Sequence, residues 1–493
     1  MMASIKKLQD KYLSLPVQVK ASFWFLISAF LQKGISVITT PIFTRLLSTA
    51  EYGQYNVFNS WLGIITVFIT LQLYSGVFTQ GMVKFEDRKY LFASSMQGLC
   101  LTLVFFWTVI YLLFRDMWNH LFDLTTVQML AMIIMIWTSS VFSFWSVEQR
   151  VDFHYHKLVA ISIITSIAKP VIGIVFVVLA NDKVTARILG LVLVELVAYT
   201  WMFFSQMRKG RVFFDKFFWK HALKFNLPLI PHYLSMTVLN SSDRIMINSM
   251  IGSGEAGIYS LAYSVSQIMT LFNTALLQTI EPWLYKKIKA KRVEDISAVA
   301  YPAFILIAAV NILLIAFAPE VIRIFAPATY YDAIWVIPPV TMSVYFMFAY
   351  TFFAVFEFYY EKTQYVAIAT VSGAALNIVL NYIFIKLFGY YAAGYTTLFC
   401  YVIFAVYHYY FMRKICKEKL NGTMPYKTSV LMMITFVFVA LGFIFLLLYN
   451  NNIARYIFIA FLILIMIIYR NKIKELIKKL ISIKQSRLIP GDE

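Results

Sequence analysis

Charge is what this sequence has least of. Only 14% of its 493 residues are Asp, Glu, Lys or Arg, where a soluble domain carries about 25%. Acids are scarcer still, 24 against 43 Lys and Arg, for a formal net charge of +19. The shortage excludes a water-soluble globular enzyme. The hydrophobic share of 61% excludes disorder, which needs low hydrophobicity. Cysteine is limited to Cys100, Cys400 and Cys416, an odd number in or beside apolar runs, so neither a disulfide framework nor a metal cluster is expected. The histidines show no ligand spacing, and His154 with His156 reads as a solvated loop. No glycine loop that would cradle phosphate, no nucleotide motif and no catalytic triad is visible, which argues against ATP-driven transport by this chain alone.

What the sequence does have is long hydrophobic runs, with a mean hydropathy of +0.73. A helix needs about 20 mostly apolar residues to cross a hydrocarbon core of about 30 Å. Fourteen stretches qualify: 20–40, 54–74, 90–113, 126–147, 158–180, 186–207, 227–250, 258–280, 299–318, 334–356, 364–386, 392–412, 428–449 and 453–469. With a cytoplasmic N-terminus, the cations concentrate in the cytoplasmic segments. Only Arg45, Arg115, Lys183, Arg187, Arg323, Lys386 and Arg455 fall on the other side. This alternation supports an even span count and cytoplasmic termini at both ends. No cleavable signal peptide is expected. The Tyr pairs 330–331, 359–360, 390–391 and 409–410 flank the stretches and read as interfacial belts or sugar-stacking platforms.

The chain also repeats itself. Glu51, Gly53 and Tyr55 in LLSTAEYGQYNVFNSW match Glu255, Gly257 and Tyr259 in MIGSGEAGIYSLAYSV. Val159–Ala160–Ile161 matches Val366–Ala367–Ile368 at nearly the same offset. Both matches join one stretch to the stretch six later, the layout of a parallel repeat. The expected organisation is an N-lobe over 1–207, a basic cytoplasmic linker over 208–226 and a C-lobe over 227–412. Two more spans and a basic cytoplasmic tail follow over 413–493. The expected fold is an all-α polytopic membrane protein of about 14 transmembrane helices. Two parallel-repeat six-helix lobes surround a central cationic cavity, with two further C-terminal helices. Such a layout argues for a transporter that rocks between inward-open and outward-open states.

Five ionisable residues fall well inside the stretches: Lys33, Lys169, Glu195, Asp243 and Arg244. Each costs about 2.5–3.5 kcal/mol at a helix centre, so each should face protein or a water-filled cavity. Polar stripes accompany them at helical spacing. Asn56 and Asn59 lie on the second stretch, Tyr233, Asn240 and Asn248 on the seventh, and Tyr263 and Asn273 on the eighth. Structural pairing is the alternative, in which Lys33 or Lys169 neutralises Glu195 or Asp243 and the hydroxyls glue helices together. Three cations against two anions favour a wet lumen of net positive charge, which predicts an anionic cargo. The basic segments 286–292 and 472–487 read as contacts to anionic membrane lipids, with no nucleic acid expected.

The stretch from Phe23 to Trp61, with TRLLSTAEYGQYNVFNSW, resembles the N-terminal hairpin of Wzx-type polysaccharide transporters. These are O-antigen and capsule flippases of the multidrug/oligosaccharidyl-lipid/polysaccharide exporter superfamily. FNLPLIPHYLS, NSSDRIMI and GEAGIYSLAYSVSQ, between Phe225 and Gln267, resemble the start of their second half. The resemblance implies a flippase for undecaprenyl-pyrophosphate-linked oligosaccharide in the bacterial cytoplasmic (inner) membrane, and no enzyme activity. It implies that Lys33, Lys169 and Arg244 meet the pyrophosphate and that the Asn and Tyr stripes meet sugar hydroxyls. Glu195 and Asp243 become candidates for coupling to H⁺ or Na⁺, with no other cofactor; alternatively Asp243 only orients Arg244. Polysaccharide polymerase and chain-length proteins are the expected protein partners. A lipid II flippase remains as an alternative, as does, with less support, a drug/cation antiporter of the same superfamily.

Overall fold

The computed structural model describes residues 16–471, and their regular structure is helical, with no strand among them. The cations at 6, 7 and 11 and the basic stretch 472–487 lie outside the described residues. Every one of the fourteen apolar stretches is helical. Nine of these helices are long and apolar enough to cross a membrane among the described residues, so this is a multi-pass membrane protein.

The first half runs α1 (Val17–Leu46), α2 (Thr49–Thr70), α3 (Gly76–Lys84), α4 (Lys89–Leu113), α5 (Arg115–Phe122), α6 (Thr126–Val151), α7 (Tyr155–Leu179), α8 (Lys183–Gly210) and α9 (Lys216–Asn226). The second half runs α10 (Ile230–Met250), α11 (Ser253–Ser266), α12 (Met269–Lys289), α13 (Ser297–Ala316), α14 (Ala318–Phe325), α15 (Ile337–Tyr359), α16 (Thr363–Phe388) and α17 (Ala392–Lys419). The last two helices are α18 (Thr428–Leu448) and α19 (Asn452–Ile468).

Two stretches read as single spans are interrupted. The run 54–74 breaks after Thr70, where Leu71 and Gln72 take left-handed φ of 50° and 53°. The run 258–280 breaks between Ser266 and Met269. Hydropathy is blind to such breaks because the residues on both sides are apolar. Pro338 and Pro339 interrupt nothing. They occupy the first turn of α15, where a missing N–H leaves no bond unmade. Two of the flanking tyrosines, Tyr330 and Tyr390, turn inward and are buried.

The order α4 to α8, with its short fifth element, recurs as α13 to α17. The turns match in backbone detail. Phe153 after α6 and Glu361 after α15 have φ of 55° and 56°. The next amide closes each turn, His154 to the Gln149 carbonyl at 2.8 Å and Lys362 to the Glu357 carbonyl at 2.7 Å, a Schellman ending. The repeated motif is local in origin too. Glu51 completes a capping box with Ser48 at the start of α2, satisfying two end amides at once.

Contacts divide the chain into two compact units, one up to Ser241 and one from Ser242. In the first, α9 is docked rather than trailing. Phe218 and Ala222 are buried, and the Trp219 indole donates to the Ser95 carbonyl at 2.9 Å. Gly98 makes room for the Phe213 carbonyl, which a Cβ would meet at 2.0 Å. In the second unit α15 is the central helix, buried along most of its length, with α17 against it. α18 is fixed by Tyr345, whose hydroxyl meets Thr435 at 2.9 Å and whose ring stacks on Phe438. α19 is fixed by Arg455, which is fully buried and paired with Glu320. Between membrane helices apolar burial gives little drive, so small residues and polar contacts fix the packing.

Gly98→Ala is expected to destabilise the protein by about 1–3 kcal/mol, the usual range for overpacking, and to lower its thermal unfolding midpoint in detergent. Gly34→Ala, whose Cβ would meet nothing within 4 Å, should leave that midpoint where it is.

Candidate functional site

The sequence-predicted site residues divide between the two units. Lys33, Asn56, Asn59, Lys169, Glu195, Tyr233 and Asn240 belong to the first, and Asp243, Arg244, Asn248, Tyr263 and Asn273 to the second.

In the first unit α7 and α8 cross where Gly173 faces Gly190, close enough that a Cβ on Gly190 would meet Gly173 at 3.1 Å. Small residues let two backbones approach in this way. One turn along, Lys169 reaches Glu195, with Nζ 2.7 Å from Oε1. The other carboxylate oxygen accepts from Thr138 at 2.6 Å and Ser139 at 3.1 Å, both on α6. Glu195 is therefore buried but fully satisfied by two neighbouring helices, as a buried charge must be. Lys169 is thus committed to an internal anion. Lys33 sits elsewhere: it is exposed on α1 and forms no ion pair among the described residues. Asn56, Asn59 and Asn240 are half-buried and donate to carbonyls of their own helices at 2.7, 3.0 and 2.8 Å. Tyr233 is half-buried beside Gly76.

In the second unit Asp243 is the centre of a buried network. Its carboxylate accepts from Tyr259 at 2.5 Å, Asn381 at 2.6 Å and Thr397 at 3.0 Å. Thr396 in turn donates to the Asn381 amide oxygen. Asn377 accepts from Ser242 at 3.2 Å, and its own amide nitrogen is buried without a hydrogen-bond partner among the described residues. Three helices, α11, α16 and α17, thus converge with oxygen-bearing side chains on one carboxylate carried by α10. The Arg244 guanidinium lies 4.2 Å from the centre of the buried Tyr263 ring, a cation–π contact. Asn248 is half-buried. Asn273 is buried and donates to the Val344 carbonyl at 2.8 Å, which ties α12 to α15.

The partners of Asp243 were not among the sequence candidates. Asn377 and Asn381, four apart in an apolar run, were the signal that would have found them. Two more buried acids were also missed. Glu148 on α6 is bonded by Gln206 at 2.6 Å and Lys209 at 2.7 Å on α8. Glu357 on α15 is bonded to His408 on α17 at 2.8 Å. Both acids sit at the ends of apolar stretches, where hydropathy reads them as loop.

The family model for polysaccharide biosynthesis proteins matches residues 19–288. The chain belongs to that family. Lys33, Lys169, Glu195, Asp243 and Arg244 all fall within the matched stretch. A Haemophilus influenzae protein named for the Lsg locus is 27% identical over 225 residues. That match takes in 42% of this chain and 54% of the other, so the chain spans about half the length of the curated relative it matches. Among solved structures the fold is shared with the lipid II flippase MurJ in an inward closed conformation. The TM-score is 0.65 at 14% identity, covering 91% of this chain and 99% of that one. It is shared also with an inward-facing MATE-family multidrug transporter of the MOP superfamily. There the TM-score is 0.59 at 15% identity, over 80% and 96%. A MOP-superfamily transporter from Pyrococcus furiosus gives 0.53 at 14% identity, over 83% and 97%. This polysaccharide biosynthesis family member therefore has the helical fold of MOP-superfamily membrane transporters.

Lys169→Met is expected to strand Glu195 without its cation and reduce the folded, monodisperse fraction on size exclusion. Breaking fully buried pairs costs about 3–5 kcal/mol; here the cost is smaller because Lys169 is 29% exposed. The double variant Lys169→Met/Glu195→Gln should recover most of the loss.

Proposed function

We propose that this protein moves a lipid-linked oligosaccharide, carried on a polyprenyl pyrophosphate, from the cytoplasmic to the outer leaflet of a bacterial inner membrane. The observation that carries the reading is the coincidence of a polysaccharide-biosynthesis family match with a multi-pass transporter fold. A glycan lipid must cross the membrane whole, and a helical transporter can move such a cargo with no bond made or broken. Polysaccharide polymerase and chain-length proteins would then take up the product, and anionic lipids would contact the basic segment 286–292.

Lys33 and Arg244 are the cations proposed to meet the pyrophosphate. A guanidinium offers two parallel donors to a phosphate and an ammonium a point charge, so the two residues are not interchangeable in detail. Lys169 is proposed in the same role only in a state in which its bond to Glu195 opens. The Asn and Tyr side chains of α2, α10, α11 and α12 are proposed to line the path of the sugar.

Asp243 and Glu195 are the proposed coupling residues. Asp243 has the donor set a small hard cation requires, one carboxylate with Asn and Thr oxygens around it. A sodium ion there would be held by Asp243, Asn381, Thr396 and Thr397 and would supply a positive charge that competes with their present hydrogen bonds. A proton on Asp243 is the alternative. Glu195 is already neutralised by Lys169.

Lys33→Ala or Arg244→Ala is expected to abolish surface polysaccharide while the protein stays in the membrane at normal abundance. Lys33→Arg and Arg244→Lys should each retain part of the output. Normal glycan from both alanine variants would remove these residues from the cargo path. In proteoliposomes given a polyprenyl-pyrophosphate oligosaccharide in one arm and lipid II in another, the first should move and the second should not. Asp243→Asn is expected to abolish any acceleration by a sodium gradient; equal acceleration in that variant would discard Asp243 as the coupling residue.

A further inference from the structure

The repeat places a buried carboxylate near the end of the same helix in both halves, and the two halves neutralise it differently. In the first unit Glu148, near the end of α6, faces Lys209 and Gln206 on α8. Gln206 also accepts from Gln97 on α4 at 2.7 Å. In the second unit Glu357, near the end of α15, faces His408 on α17. The matching turns after α6 and α15 align Glu357 with Gln149, one residue past Glu148, so the two acids lie near the same helix end without occupying one position. Lysine is a fixed cation there. Histidine is the side chain whose charge changes between about pH 5 and 8.

The surroundings isolate the second pair. Glu357 and His408 are 0% and 1% exposed. One bond joins them, His408 Nδ1 to Glu357 Oε1 at 2.8 Å. The other carboxylate oxygen, Oε2, is buried with no hydrogen-bond partner among the described residues. An unpartnered carboxylate oxygen in a dry site is costly while ionised, and it is a vacant place for a proton. The Tyr350 ring stacks on His408 at 5.5 Å and the Tyr407 ring meets it edge-on at 5.4 Å. Phe404 closes another side. The titratable groups facing the pair are therefore Tyr350 on α15 and Tyr407 on α17, with Tyr365 on α16 beyond Tyr407.

We propose that Glu357 and His408 form a proton-binding site in the second unit, and that its occupancy sets the rate of the transport cycle. The inference rests on the transporter reading for its second half only. With one proton between them, on His408 Nδ1, the imidazole is neutral and the pair carries the single negative charge of the carboxylate. A proton arriving from water adds to Glu357 Oε2, the Nδ1–H···Oε1 bond remains, and the site becomes neutral. Its release restores the negative charge. The two states differ by a full charge between α15 and α17, the two most extensively packed helices of the unit. Near the end of the matching helix the first unit instead pairs its carboxylate with a lysine, Glu148 with Lys209.

Two measurements test this on the full-length protein. Infrared difference spectra of the purified protein, taken across about pH 5 to 8, should show a protonated-carboxyl band that Glu357→Gln removes. Proteoliposomes containing a polyprenyl-pyrophosphate oligosaccharide should show a transport rate that depends on pH over the same range. His408→Lys copies the first unit's chemistry. It should keep the ion pair and the fold, transport, and lose that pH dependence. An absent band, or a band that survives Glu357→Gln, overturns the site. An unchanged pH profile in His408→Lys overturns its role in the cycle. If the band behaves as expected but no variant, wild type included, moves the glycan lipid, the proton site stands and the cargo assignment falls.

Discussion

A charge in the interior of a helical membrane protein has no water to fall back on. Placing one at a bare helix centre costs about 2.5–3.5 kcal/mol on insertion scales, and leaving its polar atoms unbonded costs more. The described residues respond to that one constraint. Glu195 is met by an ammonium and two hydroxyls from α6 and α7. Asp243 is met by a phenol, an amide and a hydroxyl from α11, α16 and α17. Arg455 is met by Glu320 across helices far apart in sequence. In each case the acid or base sits on one helix and its satisfaction comes from others, so the charges order the helices around them.

Where satisfaction is complete the charge is structural, and where it is incomplete chemistry can follow. Glu195 has no unmet oxygen, and Lys169 is its counterion. Asp243 lies among neutral oxygen-bearing side chains that could rearrange around a cation. Glu357 keeps one oxygen without a hydrogen-bond partner among the described residues. The same logic separates Lys33, exposed on α1, from Lys169, which is engaged inside the bundle.

The internal repeat shows how one scaffold carries different chemistry. The repeated glutamates are positioned by helix starts: Glu51 in the capping box of α2, and Glu255 against Gly252 at the start of α11. The repeated tyrosines diverge. The Tyr55 ring lies 3.5 Å from the guanidinium of Arg187, while the Tyr259 hydroxyl serves Asp243. One half thus uses its motif tyrosine against a cation and the other against an anion. Backbone turns recur because they are local, and side-chain partners differ because each is supplied by a neighbouring helix.

Much of the fold was legible in the residues alone, for a physical reason. Hydrocarbon thickness sets span length and apolar runs report it, so the helix positions, the multi-pass character and the repeat could all be read along the chain. So could the cost of Lys33, Lys169, Glu195, Asp243 and Arg244, since cost depends on being inside a run. The breaks near Leu71 and Gln267 and the docking of α9 were not legible, because they turn on backbone conformation and on aromatic contacts with other helices. Nor were the partners. That Lys169 meets Glu195 while Asp243 meets Asn381 and Thr397 depends on which helix faces stand together. Those faces are brought together by contacts such as Gly173 against Gly190. The sequence by itself determined which residues could not be left in lipid; only the packed helices decided what each of them would touch, because distance along the chain carries no information about neighbours across a bundle.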